Sequence, residues 1–384
     1  MHKQIEDTRG DDFDPNNVVD FWRKEGRWPR QFFEPDLELV LTGKLFPDVS
    51  STTPSDRLPR EEKCYQYRDW RYEYLLSTKG SFMAESKLGV SSKSRIICRN
   101  LLERKQTFPE NSLFRDDIFN SVCNKICDRD DGRIKQDISR LIVPSAETLA
   151  MFGAKHLDIL VESVDEGWRN SIPVAGMAPQ PDYSVGFGRE AFTKDQLDKL
   201  GPFVYDATHE DAYGLSFFMA TWYMYFPFLT CEVREDLYAA DRHNAHSMTL
   251  AVRAVAELFR AMKREDEVNR QILGFSVSHN HEAVQIYGHY PVIDEKGIKY
   301  HRHCISSFFF NQPDGAKKWA AYQFIKNVYD IWMPYHWKRI CSVIDQLPPK
   351  AELEAWMRAA DSASPLSDEN DQLASPGPRP SAEP

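Results

Sequence analysis

The stretch Phe217–Val233, written FFMATWYMYFPFLTCEV, is apolar or aromatic at nearly every position and is broken once, by Pro227. A strand with one wet face alternates apolar and polar residues, so a run without alternation reads as a central strand, with its preceding segment, covered on both faces. Such a strand needs helices packed on both sides of its sheet. The flanking sequence supplies them. Ser145 follows a proline and opens an expected helix whose Leu149, Met151, Phe152, His156, Leu157, Leu160, Val161 and Val164 form one apolar stripe ending near Gly167. A proline-fenced strand is expected over Pro179–Phe187, a short helix over Lys194–Leu200, and a long amphipathic helix over Asp241–Arg264 with Arg253, Glu257, Arg260 and Lys263 on its solvated side. Three more strands are expected at Ile272–Ser278, Val284–Val292 and Tyr300–Phe310, followed by helices over Asp314–Asp330 and beyond Pro334. The fold class expected is α/β, a mixed sheet with helices packed on it.

The chain has 384 residues, 42% of them hydrophobic, enough for one large core or two modest ones. Its formal charge of −10 means that any nucleic-acid contact must come from a local basic face. No run reaches the uninterrupted apolar length of a membrane-spanning helix, and the opening Met1-His2-Lys3-Gln4 lacks a signal-peptide core. An intracellular protein, nuclear or cytoplasmic and without membrane contact, is therefore expected; protein partners are not readable. Seven cysteines fit reduced thiols better than a disulfide framework, and Cys123 and Cys127 have no CxxC partner pair for a structural zinc. Composition divides the chain into a disordered start (1–20), a mainly helical wrapping region (21–142), the α/β domain (143–348) and an acidic, Pro/Ser-rich tail (349–384) expected to be disordered. A loop is expected at Asp48–Pro59.

Strand ends carry the informative polar residues. Asp182 opens one strand after Pro181, while Glu232 and Arg234, two apart, share one face at the polar end of the apolar strand. Two carboxylates on adjacent strands, with a carbonyl such as that of Val233, supply the all-oxygen set that Mg²⁺ requires. The competing reading is an ordinary pair of solvated strand-end acids.

Several runs, taken together, resemble an uncharacterised fungal family with a PD-(D/E)XK nuclease-like domain. They include Ile142-Val143-Pro144-Ser145-Ala146-Glu147, Pro179–Phe187, Phe226-Pro227-Phe228-Leu229-Thr230-Cys231-Glu232-Val233, Asn244-Ala245-His246-Ser247-Met248, Ile286–Val292 and Lys326-Asn327-Val328-Tyr329-Asp330, and the similarity covers about Phe21 to Leu347. The resemblance implies a restriction-endonuclease-like core of helix, three strands, helix and strand. It also implies metal ligation by Asp182 and Glu232, with Glu162 or Glu166 contributed by the first helix. Two positions depart from the family pattern: Arg234 stands where lysine is usual, and His243 where glutamine is usual. An arginine stays protonated, so it can brace a phosphate but cannot take a proton from water.

Two further clusters stand out by residue chemistry. His279, His281, His289, His301 and His303 lie on consecutive expected strands; they read as ordinary hydrogen-bonding imidazoles in preference to zinc or iron ligands. Between Asp294 and Asp345, eight basic residues stand against five acidic ones, and Arg302, Lys317, Lys318 and Lys326 are the candidate phosphate contacts. The interleaved Trp319, Tyr322 and Tyr329 are expected to pack inward. Three functions follow: Mg²⁺-dependent hydrolysis of DNA or RNA, nucleic-acid binding without cleavage on the same fold, and a protein scaffold using the aromatic segment Phe21–Phe33. Neither a Gly-rich phosphate loop, nor HExxH, nor a nucleophile elbow occurs.

Overall fold

A computed structural model describes residues 65–205, 214–312 and 314–349. The expected termini, the Asp48–Pro59 loop and the Phe21–Phe33 segment lie outside the described residues. Helices α1 (Arg71–Thr78), α2 (Ser92–Glu103), α3 (Phe119–Ile126), α4 (Asp131–Asp137), α5 (Ser139–Ile142), α6 (Ala146–Met151), α7 (Lys194–Leu200), α8 (Leu237–Ala261), α9 (Ala320–Asn327) and α10 (Met333–Ile344) surround the sheets. The strands are β1 (Ser81–Phe82), β2 (Leu160–Val164), β3 (Tyr183–Phe187), β4 (Val204–Tyr205), β5 (Leu215–Ser216), β6 (Tyr225–Val233), β7 (Gly274–His279), β8 (Ala283–Asp294) and β9 (Gly297–Phe309). Seven of them form a mixed sheet in the order β1-β9-β8-β7-β6-β3-β2, and β4 and β5 form a separate two-stranded sheet.

The apolar run does become a central strand, and every residue of β6 is buried. Pro227 is tolerated because regular pairing with β7 begins only at Leu229, and the pairing with β3 is irregular between Val185 and Phe187. The chain kinks there: Phe226 has φ +43°, and its N–H donates to the Phe218 carbonyl at 2.7 Å. Opposite the kink stands Gly186, where an added Cβ would lie 3.0 Å from the Pro227 Cα and 2.9 Å from the Tyr225 carbonyl, so only glycine fits.

Parallel strands β6 and β7 require a long crossover, and α8 provides it with 25 residues, about 37 Å of helix. Its start is fixed by Asp236, whose side chain accepts from the Tyr238 N–H at 2.9 Å, one turn before the expected Asp241. Contrary to expectation, α8 has no solvated stripe over its middle. Arg253 and Glu257 are buried, Arg253 bonding the Ile172 carbonyl and lying 4.8 Å over the Phe217 ring. The helix is covered by the sheet on one side and by chain from both the N-terminal region and the 168–172 loop on others.

A second expectation fails at Ser145. The helix it caps stops at Met151, because Gly153 takes φ +108°; a single 3-10 turn follows, and Leu160–Val164 is then the edge strand β2. Leu157 and Leu160 are buried under either geometry, so their spacing did not discriminate. The N-terminal helices also contribute a strand of their own, β1, which runs parallel to β9 at the sheet edge. Among the described residues no helix is long and apolar enough to cross a membrane.

Candidate functional site

Register places the two strand-end acids together. Tyr183 of β3 is paired with Cys231 of β6, so Asp182 and Glu232 are the next opposed positions on the other face of the sheet. Fifty residues apart in sequence, they meet directly: the Asp182 N–H donates to Glu232 Oε1 at 3.2 Å, and the Val233 N–H donates to Asp182 Oδ2 at 2.8 Å. Both are withdrawn from solvent, Asp182 at 6% and Glu232 at 0% exposure.

Buried carboxylates require compensating cations. Arg234, next after β6, lies 3.4 Å from Asp182 Oδ2 and 3.5 Å from Glu232 Oε2, and also donates to the Val233 carbonyl at 3.1 Å. Lys135 comes from α4 and reaches Asp182 Oδ1 at 2.9 Å. The side chains of Lys135 and Arg234 are 26% and 16% exposed, so the cations stand between the carboxylates and water. From the helix side, His243 Nδ1 lies 3.0 Å from Glu232 Oε2, with its ring stacked on Tyr67 at 4.1 Å. One turn on, His246 Nδ1 is bonded to the hydroxyls of Tyr67 (2.9 Å) and Tyr72 (3.0 Å). Burial pushes the His246 imidazole down to about 3, so it is neutral in the fold.

The oxygens suit a hard cation in kind. Among the described residues, no three His, Cys, Asp or Glu side chains gather as ligands. A Mg²⁺ ion held by Asp182, Glu232 and the Val233 carbonyl would complete its shell with water and substrate oxygens, which is how that ion is usually bound.

Neither Glu162 nor Glu166 joins this group. Glu162 is a strand residue, paired with Val185, and Val185 is paired with Leu229; it therefore sits on the sheet face away from Glu232. There it caps α6, accepting from the Glu147 N–H and the Ser145 hydroxyl at 3.0 Å each. Glu166 follows β2 in a loop and is bonded to the Tyr223 hydroxyl. The helix contribution expected of them is thus absent, for the same reason that the Ser145 helix ends early.

The candidate phosphate contacts are mostly engaged within the fold. Arg302 pairs with Asp241 at 3.1 Å, donates to the Met83 carbonyl at 2.7 Å and lies 4.0 Å over the Tyr287 ring. Lys318 is 7% exposed and pairs with Asp116, while Lys326 donates to Thr107 Oγ1 at 2.9 Å. Lys317 is exposed. Of the aromatics between them, Tyr322 and Tyr329 are buried and Trp319 stacks on Phe108 at 4.8 Å. The histidines show ordinary contacts: His279 with Ser139 (3.0 Å), His289 with Ser276 (2.8 Å), His301 with the Ala84 carbonyl (3.2 Å) and His303 with Glu85 (3.0 Å).

Lys135 was missed by sequence reasoning. It sits in a seven-residue helix in which only Ile134 is buried, and no spacing ties it to a strand 47 residues later.

One protein family matches residues 118–344, more than half of the chain; its description is a domain of unknown function, DUF7924. No curated protein and no solved structure matches.

Proposed function

We propose, from the premise that the chain belongs to the DUF7924 family, that its sheet domain is a PD-(D/E)XK nuclease-like, restriction-endonuclease-like unit that hydrolyses phosphodiester bonds in DNA or RNA with Mg²⁺. The observation that carries this reading is the meeting of Asp182 and Glu232 on one face of adjacent strands, with Arg234 against both. The succession α6, β2, β3, β6, α8, β7, in which α7, β4 and β5 are inserted before β6 and in which β6 and β7 are parallel across α8, supports it. Asp182, Glu232 and the Val233 carbonyl would hold the metal, which when bound polarises the phosphodiester and lowers the pKa of its water. Arg234 would brace a phosphate oxygen, since its guanidinium already bridges the two acids and reaches the surface. Lys135 would hold Asp182 in place from the opposite side.

A second reading has its own observation. Both carboxylates already carry side-chain cations and Glu232 has no exposed surface, as a domain that binds nucleic acid without cutting it would have. Plasmid nicking and cleavage of single-stranded DNA and RNA, with Mg²⁺ and with chelator, separate the two. The hydrolytic reading expects Mg²⁺-dependent cleavage that Asp182→Ala and Glu232→Ala each abolish. Identical background in wild type and both variants would count against it. Salt-dependent binding that survives both substitutions and chelation would then favour binding alone.

A further inference from the structure

Where α2, the chain entering β7 and α10 meet, a small cavity of about 10 Å³ opens between Lys93, Ser94, Gln271, Tyr335 and Arg339. It is at the start of β7, whereas Glu232 is beside Ser278 near the other end of that strand, so it is distinct from the carboxylate site. Its polar lining is rich in donors, and no acid lines it.

The cations here are not neutralised as those near Asp182 are. Among the described residues no carboxylate is within ion-pair distance of Arg339, and its buried Nε has no hydrogen-bond partner. Its guanidinium donates to His336 Nδ1 at 3.2 Å and lies over the rings of Phe259 (5.5 Å) and Tyr335 (5.6 Å). Glu267, the acid whose charge reaches it, is held by Arg264 at 2.6 Å. Burial accordingly pushes the Arg339 guanidinium below its ordinary value. Lys93 converges from the exposed rim, with its ammonium 2.8 Å from the Tyr335 hydroxyl. Gln271 uses its side-chain carbonyl to accept from Ser94 at 3.2 Å, and its amide nitrogen has no partner among the described residues. A part-buried guanidinium whose Nε is unsatisfied and which has no direct ion-pair partner is stabilised by any group that brings a negatively charged acceptor to it.

We propose that this cavity binds an oxyanion of the phosphate class, one oxygen entering beside Arg339 and the remainder held at the mouth by Lys93. The volume, enough for one water-sized group, admits a single oxygen, and the exposed Lys93 can follow the rest. Guanidinium and ammonium donors from different elements match a group with several oxygens.

The test is thermal unfolding of the full chain in inorganic phosphate, in phenyl phosphate and in acetate, each against sodium chloride at equal ionic strength. The expected result is a melting midpoint that rises with millimolar phosphate, as ligand binding to the folded state requires. Arg339→Met should lose that rise whatever its own midpoint without phosphate, since it forfeits the His336 contact along with the charge. Lys93→Gln alters only the exposed rim, and should weaken phosphate affinity about tenfold, the loss of one charge-assisted contact. A rise with phenyl phosphate as well identifies a monoester on a larger molecule as a ligand; a rise with phosphate alone identifies the free ion. No rise in wild type, an equal rise in Arg339→Met, or acetate matching phosphate would each overturn the proposal. The measurement reads no cleavage, so it stands or falls apart from the nuclease reading.

Discussion

Over Leu229–Val233 the two faces of β6 are equally buried and chemically opposite. On one face Leu229 lies beside Phe275, whose ring meets Phe324 and Trp332, while Cys231 and Val233 continue the apolar surface. On the other face Thr230 donates to Asn244 Oδ1 at 2.6 Å and Glu232 meets His243, both residues of α8. Hydroxyls continue that polar layer: Ser163 and Ser184 are 2.6 Å apart, Ser184 is opposed to Thr230, and Thr230 to Ser276. Burial and polarity are thus separable. The apolar face holds the sheet to its helices by area, whereas the polar face holds α8 by specific pairs.

That difference is breakable at adjacent positions. Leu229→Ala should cost about 2–5 kcal/mol in urea unfolding, the transfer and cavity terms of a fully buried leucine. Thr230→Val keeps the volume but strands the Asn244 oxygen, so about 1–3 kcal/mol is expected, the cost of one buried unsatisfied acceptor. Should Thr230→Val be neutral, the polar face would be packed for area like its counterpart, and the two faces would not differ.

Acid sharpens the comparison further, because both faces bury neutral imidazoles. Burial lowers His246, on α8, to about 3 and His279, at the end of β7, to about 4. The sign follows from linkage. Between the unfolded value near 6.5 and these folded values the unfolded chain binds a proton that the folded chain does not, so stability present above pH 6.5 falls as pH drops. Each group contributes a slope of about 1.4 kcal/mol per pH unit in its window. His246→Gln and His279→Gln should therefore flatten the urea midpoint against pH alike from about 6.5 to 4, and differ only below 4, where His279 already titrates in the fold. Asp241 opposes this at the acid end, since burial raises its carboxyl and the folded chain then holds the extra proton. Equal flattening down to pH 3 would show that the Asn280 carbonyl, 3.1 Å from His279 Nδ1, does not hold that imidazole above His246.

How much of this was legible in sequence depends on whether one period or two could explain the same residues. The apolar run over β6 admitted a single reading, and Glu232 and Arg234 followed from alternation along it. Asp182 required a register between strands; a proline fence and the family resemblance pointed to it. Residues 157–164 allowed both a helix and a strand, and choosing the helix carried Glu162 to the wrong face. Charges on α8 misled for another reason. Helical periodicity reports which residues differ from their neighbours, and it cannot report that the 168–172 loop later covers Arg253. Lys135 left no trace at all, because a lysine in a short polar helix is the commonest of surface features.

Adjacent lysines set the finest form of the same contrast, between cations absorbed by the fold and cations available to a ligand. Lys318 is buried against Phe119 at 5.1 Å and paired with Asp116, while Lys317 is exposed and its side chain has no hydrogen bond or ion pair among the described residues. Lys317→Ala should leave stability within about 0.5 kcal/mol. Lys318→Ala should cost about 1 kcal/mol, mainly through its packed methylene stem, since an exposed acid such as Asp116 adds little. Their effects on nucleic-acid affinity should run the other way. If this surface meets phosphates, Lys317→Ala lowers the slope of log affinity against log salt by about one, and Lys318→Ala leaves it unchanged. Titration of a labelled DNA or RNA oligomer over a salt series checks both. Should Lys318→Ala lower the slope and Lys317→Ala not, burial would be a poor guide to which cations this protein offers to a partner.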